Sequence, residues 1–163
     1  MTGRSILLVE DEESDVFLMR WALNRVAVMN PVHVANDGQE AIDYFDGAGR
    51  FANRNKFPLP CLVLLDLKLP YVMGLDVLKW IHQRPDVAAI VIVLSSSAAK
   101  ADIATAYRLG ANGFLVKPTE VDQLLDMVKS IKDFWLTTNT PPPVAPMQQV
   151  AAGGFNYPRQ FLT

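Results

Sequence analysis

The run Cys61-Leu62-Val63-Leu64-Leu65-Asp66 places an acid at the end of a wholly apolar stretch. A stretch with no polar alternation is typical of a strand that is buried on both faces, as in a parallel sheet covered by helices. In open sheets of this type, ligands bind beyond the carboxyl ends of the strands. The run therefore predicts a doubly wound α/β fold with Asp66 at its ligand-binding edge.

Three other apolar stretches also end in polar residues. Residues 6–9 precede Glu10 and Asp11, residues 90–94 precede Ser95, and residues 113–116 precede Lys117. Because the carboxyl ends of parallel strands meet at one edge of a sheet, we expect these side chains to converge with Asp66. The pattern predicts a single rim that carries three acids, a hydroxyl and a lysine.

Strand and helix patterns alternate along the chain. Besides the four strands above, a short strand is predicted at 32–35, and helices are predicted from residue 14, from 39, over 75–82, over 100–109 and from 120 to about 135. Ser14 or Asp15 is predicted to cap the first helix, and Gly110 to end the fourth. Thr119 and Asp122 are predicted to form a capping box on the fifth. Five such units predict a parallel sheet with right-handed crossovers.

The sequence changes in character after Leu136. A stretch rich in Thr and Pro follows, and then a linker of small residues that contains Gly153 and Gly154. We expect a folded domain over residues 1–136 and a Pro/Gly-containing tail over 137–163. Such a tail is shorter than the roughly 40 residues that fold unaided, so it predicts no separate effector domain.

Composition narrows the class of protein. The formal net charge of −2 over 163 residues argues against a nucleic-acid partner. No window reaches the roughly 18 apolar residues of a membrane span, and the N-terminus does not resemble a signal peptide. Cys61 is the only cysteine, so no internal disulfide forms. These features predict a cytoplasmic protein with a buried, unreactive thiol at Cys61.

The acids at the strand ends suggest metal and phosphoryl chemistry. Glu10, Asp11 and Asp66 form an all-oxygen set of the kind that Mg²⁺ prefers. A carboxylate can also attack a phosphoryl group, which would make Asp66 an aspartyl-phosphate. The Mg²⁺ ion, the Lys117 ammonium and the Ser95 hydroxyl would then each take one phosphoryl oxygen.

These motifs resemble the receiver domain of two-component response regulators, the CheY-like family. The resemblance covers residues 5–136 and rests on Val9-Glu10-Asp11, Leu65-Asp66, Leu94-Ser95-Ser96 and Lys117-Pro118, in that order. It implies a flavodoxin-like five-stranded parallel sheet in the order 2-1-3-4-5, with helices on both faces. It also implies a phospho-accepting signalling protein, rather than an enzyme with its own substrate, that a partner histidine kinase phosphorylates.

The resemblance assigns a role to each motif residue. It implies Asp66 as the phospho-acceptor, Lys117 as the phosphate-binding lysine, and Ser95 as the switch hydroxyl. It further implies Glu10 and Asp11 as the acidic metal pair, with the Lys68 backbone carbonyl as a third protein ligand beside Asp66. Phe114 occupies the position of the aromatic rotamer switch.

Two positions depart from the family pattern. Glu10 replaces the commoner Asp, so its longer side chain is expected to reach Mg²⁺ through water. Phe114 lacks the hydroxyl of the frequent Tyr, so its coupling to Ser95 is expected to rest on packing. The segments 46–60, 63–70 and 131–136 resemble the small stand-alone regulators associated with bacterial phytochromes, which implies such a phytochrome as the kinase.

Two alternative functions stay open at this point. An aspartate-based phosphatase of the haloacid dehalogenase kind needs a second Asp two residues after its nucleophile, where this chain has Lys68. A degenerate receiver would act only as a binding module, which the complete set of acids, hydroxyl and lysine disfavours. The expected output is protein contact: a homodimer, transfer to a phosphotransfer protein, or a return to the kinase. The homodimer is predicted to form through helix four, strand five and helix five, with Phe134 and Trp135 as interface candidates.

Overall fold

The computed structural model describes residues 4–143 of the chain. Five strands alternate with five α-helices along this part of the sequence. The strands are β1 Ser5–Val9, β2 Val32–Ala35, β3 Pro60–Asp66, β4 Ile90–Ser95 and β5 Gly113–Val116. The helices are α1 Glu13–Arg25, α2 Gly38–Asp46, α3 Gly74–His82, α4 Lys100–Arg108 and α5 Val121–Ile131.

The five strands form one parallel sheet in the order β2-β1-β3-β4-β5. β3 lies at the centre and pairs with β1 on one side and β4 on the other. Every residue of these three strands is buried, as the absence of polar alternation predicts. The predicted flavodoxin-like fold and its strand order are confirmed.

Side chains of the central strands alternate between two hydrophobic layers. Val63 and Leu65 point to the layer formed with α2, α3 and α4. Leu62 and Leu64 point to the opposite layer, formed with α1 and α5. Cys61 belongs to the second layer, where burial raises the pKa of its thiol. The predicted buried position of Cys61 is confirmed, and helices cover both faces of the sheet.

The first and last helices begin differently from the prediction. The N-cap of α1 is Glu12 and that of α5 is Glu120, and neither makes a capping hydrogen bond through its side chain. The predicted cap at Ser14 or Asp15 is wrong because both residues lie inside the first turn of α1. Asp37, by contrast, caps α2 with a 2.7 Å bond to the Glu40 amide.

The ends of the helices are closer to the prediction. Gly110 follows α4 with φ of +100°, the left-handed conformation expected of a glycine at this point. α5 continues beyond the predicted end as a π-helical turn, Lys132–Thr138.

The Lys117-Pro118 peptide bond is trans, and no cis peptide bond occurs among the described residues. Within those residues, no helix has the length and apolar character needed to cross a membrane.

The segment between α2 and β3 is ordered by one arginine. Arg54 donates to the Tyr44 carbonyl (2.6 Å), to the Phe57 carbonyl (3.2 Å) and to the Phe45 carbonyl. Two of these bonds are to carbonyls in the last turn of α2, which have no partner further along the helix. The long insertion is therefore a structured part of the receiver and leaves the opposite rim free for the site.

Candidate phosphoryl and metal site at the strand ends

The strand ends bring the predicted side chains to one rim. Asp66 ends β3 and Ser95 ends β4, while Glu10 and Lys117 directly follow β1 and β5. Glu10 is 3% exposed, Asp66 7% and Ser95 1%. Burial of charged and polar groups to this degree requires partners. Glu10 and Asp66 share Lys117 as a partner, and the Ser95 hydroxyl is paired with the Ser97 amide.

Lys117 Nζ donates to three carboxylates from three different parts of the fold. The distances are 2.5 Å to Glu10 Oε2, 2.9 Å to Asp66 Oδ2 and 2.9 Å to Asp15 Oδ2. The ammonium thus joins the ends of β1 and β3 to the first turn of α1. The backbone of Lys117 is also fixed, because its amide donates to the Ser95 carbonyl at 2.8 Å.

The electrostatics of this cluster favour a permanent cation. Burial alone would lower the pKa of the Lys117 ammonium, but its hydrogen bonds to Glu10, Asp66 and Asp15 outweigh burial and raise that pKa. Burial raises the pKa of the Glu10 carboxyl, against the opposing effects of Lys117 and the Glu12 amide. The site therefore offers a lysine that stays charged beside the carboxylate of Asp66.

The acids also form a set that suits a hard metal ion. One oxygen each from Glu10, Asp11 and Asp66 can be chosen so that all three lie within 4.8 Å of one another. Carboxylate oxygens in this arrangement, with Asp11 at least partly exposed, fit Mg²⁺, which keeps several of its waters. Both Glu10 oxygens already accept hydrogen bonds, Oε1 from the Glu12 amide and Oε2 from Lys117.

The loop after Asp66 fixes the direction of its carboxylate. The Lys68 amide donates to Asp66 Oδ1 at 3.1 Å, and the Gly74 amide donates to the Leu67 carbonyl at 3.1 Å. A Cβ added at Gly74 would lie 2.2 Å from the Asp66 carbonyl oxygen, so the close approach of α3 to β3 requires glycine. The role of the Lys68 carbonyl as a metal ligand stays a prediction.

The two predicted switch residues lie on adjacent strands. Ser95 Oγ accepts a hydrogen bond from the Ser97 amide at 3.1 Å, which directs the hydroxyl along the loop after β4. Phe114 on β5 is partly buried and packs against the layer formed with α2, α3 and α4. The phenyl ring thus has contacts inside the molecule without a hydroxyl, and its switching role stays a prediction.

Asp15 is the site residue that the sequence pattern missed. The pattern assigned it to a helix cap, but its carboxylate binds Lys117 instead. The available signal was an acid in the first turn of the helix that follows the Glu10 and Asp11 pair. That signal is weak, because acids are common in the first turn of helices, where the helix dipole stabilises a negative charge.

The family of the protein follows from the fold, the rim and a direct match. Residues 6–129 match the model of the response regulator receiver domain, and the chain belongs to this family of two-component signalling proteins. Within the family, it is related to the phytochrome response regulators. The resemblance noted in the sequence is confirmed at both levels.

Three comparisons define that relationship. The response regulator Rcp1 of Synechocystis sp. is 37% identical over 84% of this chain and 92% of its own length. The crystal structure of the phosphorylated cyanobacterial phytochrome response regulator RcpA has 38% identity and a TM-score of 0.79, covering 86% of this chain and 99% of that one. The Mn²⁺-bound form of Rcp1 has 35% identity and a TM-score of 0.78, with the same coverage.

Proposed function

We propose that this protein is a single-domain response regulator that accepts one phosphoryl group on Asp66 in a Mg²⁺-dependent reaction. An Asp66 oxygen attacks the phosphorus atom, the bond from phosphorus to the donor breaks, and the donor leaves with the bonding electrons. The observation that carries this proposal is the Lys117 ammonium 2.9 Å from Asp66 Oδ2, at the edge of the acidic cluster. Phosphoryl transfer depends on such positioning and charge neutralisation.

Each rim residue has a distinct task in this proposal. Asp11, Asp66 and the Lys68 carbonyl would hold Mg²⁺, and Glu10, whose oxygens already accept hydrogen bonds, would contribute through water. The ion, when bound, supplies charge neutralisation at the phosphoryl oxygens. Lys117 and the Ser95 hydroxyl bind the remaining oxygens, with Ser95 moving toward the phosphoryl group.

The direct test is mass spectrometry of the intact protein after incubation with Mg²⁺ and acetyl phosphate. We expect the parent to gain one phosphoryl group and Asp66→Asn to gain none. Asp76→Asn, which removes an exposed acid in the first turn of α3, is the matched control and should react like the parent. A parent that stays unmodified beside a working control receiver would favour the degenerate binding module.

An assay of phosphate release from small phosphomonoesters tests the phosphatase alternative. An aspartate-based phosphatase would turn over small phosphomonoesters through a general acid two residues after its nucleophile. Lys68 stands at that position, and its amide is hydrogen-bonded to Asp66 Oδ1. Steady release of phosphate from such esters, abolished in Asp66→Asn, would revive that alternative.

A histidine kinase is the proposed phosphoryl donor. Relatives with 38–41% identity are named as phytochrome or bacteriophytochrome response regulators, which supports a kinase of the bacterial phytochrome type as the partner. A phosphotransfer protein is the proposed next acceptor. Transfer from a phosphorylated phytochrome kinase to the parent, and to no position in Asp66→Asn, would establish the pairing.

The proposed output is dimerisation through α4, β5 and α5. Large apolar side chains on this side of the molecule are about half exposed: Tyr107, Val116, Val121 and Phe134. Of the two interface candidates, Trp135 is partly buried against the core, whereas Phe134 is 51% exposed. Phe134→Ala is therefore the cleaner variant, and we expect it to weaken the dimer in sedimentation experiments without lowering folding stability, unlike Trp135→Ala.

The proposed domain limits are 1–136 for the receiver and 137–163 for the tail. The α5 helix and its π-helical turn extend the ordered backbone to Thr138, two residues past the proposed boundary. Most of the proposed tail, residues 144–163, lies outside the described residues. Limited proteolysis with mass analysis of the stable fragment would locate the boundary directly.

A further inference from the structure

We propose that Asp15 is a positioning residue for Lys117. Together with Glu10, it holds two of the three ammonium N–H bonds, so that the third points at the acceptor oxygen of Asp66. After phosphoryl transfer, the same bond points at the group attached there. This inference rests on the proposed function, and it adds a residue that none of the receiver motifs contains.

The Lys117 ammonium uses all three of its hydrogen-bond donors. An ammonium has three N–H groups and no acceptor. Lys117 Nζ has three acceptor oxygens in the structure, one each from Glu10, Asp15 and Asp66. All three donors are thus assigned, and the direction of each is fixed by the other two.

Flexibility of the lysine side chain makes the second anchor necessary. Lysine carries a compact charge on a four-carbon stem with many accessible rotamers. With Glu10 as its only anchor, the ammonium can turn about that contact and leave the acceptor. An anchor on a different element removes this freedom, and Asp15 supplies it from α1.

The support for Asp15 is rigid although its carboxylate is partly exposed. α1 is attached to the core through Met19, Ala22 and Leu23, all buried. The Asp15 side chain is 41% exposed, compared with 3% for Glu10. Asp15 can therefore be replaced without leaving a buried charge unpaired, which makes it a better target for substitution than Glu10.

The experiment compares phosphorylation rates by acetyl phosphate at saturating Mg²⁺, measured by intact mass over time. We expect Asp15→Ala to slow the reaction about fivefold, the effect of losing one partly exposed charged contact. Asp15→Asn keeps an acceptor oxygen at the same place and should retain at least half of the parental rate. Glu13→Ala removes an exposed acid from the same helical turn and should leave the rate unchanged.

Other outcomes would overturn the proposal. Equal rates for Asp15→Ala and the parent would show that Glu10 alone positions the lysine. Equally slow Asp15→Ala and Asp15→Asn would show that the charge of Asp15 matters and its acceptor geometry does not. A parent that takes up no phosphoryl group would instead refute the proposed function itself, and that result is distinguishable because it precedes any comparison of variants.

Discussion

Replacing Lys117 with methionine tests the charge balance at the strand ends. Methionine keeps an unbranched apolar stem and removes the only cation that contacts Glu10, Asp15 and Asp66 in the described structure. Breaking a buried ion pair costs about 3–5 kcal/mol. The Lys117 side chain is 18% exposed, and protonation of Glu10 would relieve part of the repulsion between the remaining carboxylates. We therefore expect the free energy of unfolding to fall by about 2 kcal/mol in metal-free buffer.

The same substitution should strengthen metal binding. The ammonium repels a divalent ion bound to the adjacent carboxylates, and two unit charges at this range interact by about 1 kcal/mol even in water. Because Mg²⁺ carries two charges, removing this repulsion should tighten Mg²⁺ binding by about tenfold or more. Excess Mg²⁺ should then recover most of the lost stability, because it binds the folded state selectively.

Urea unfolding followed by circular dichroism, with and without Mg²⁺, measures the change in the free energy of unfolding. Titration calorimetry with Mg²⁺ measures the change in Mg²⁺ affinity. Lys79→Met, which removes an exposed cation from α3, is the matched control and should change neither. The reasoning is refuted if Lys117→Met unfolds at the parental urea concentration in metal-free buffer, or if it binds Mg²⁺ more weakly than the parent.

Three further predictions concern stability. Gly74→Ala should lower the free energy of unfolding by about 3 kcal/mol, since its Cβ would meet the Asp66 backbone, and urea unfolding checks this. Asp37→Ala should cost about 1 kcal/mol in the same assay by removing the cap of α2. Burial, Arg20 and Lys56 lower the pKa of His33, whose buried Nε2 has no hydrogen-bond partner among residues 4–143. Because the unfolded state binds a proton on His33 more readily than the folded state does, the free energy of unfolding should fall as pH drops below about 6.5. His33→Gln should reduce that fall. His82→Gln, at an exposed position, should leave it unchanged.

The sheet and most of its rim were predictable from the sequence. Residues 61–65 have no polar alternation, which is a strong local signal for a strand buried on both faces. The rule that ligands bind at the carboxyl ends of parallel strands then placed Asp66, Ser95 and Lys117 together without any knowledge of side-chain contacts. The structure places these three residues at one rim, as that reasoning predicts.

The remaining features depend on how the elements pack. The Asp15 carboxylate reaches Lys117 only because the first turn of α1 and the residue after β5 meet at the same rim, a placement that no local pattern encodes. Asp15 was predicted to be a helix cap because of the capping propensity of aspartate, but its contact with Lys117 overrides that propensity. The need for glycine at position 74 likewise could not be predicted from the sequence, because it arises from the close approach of α3 to the end of β3.

The three contacts of Lys117 have a consequence for synthesis of the chain. Lys117 lies 107 residues after Glu10 and 51 after Asp66. It reaches Asp66 across β4, and Glu10 across both β4 and β3. An emerging polypeptide therefore carries Asp66, the proposed acceptor, before Lys117 is synthesised, because the chain grows from the N-terminus. Copies that end before residue 117 retain Asp66 but lack the ammonium that contacts it. The proposed acceptance of a phosphoryl group on Asp66 therefore requires a chain that has been synthesised past the end of β5.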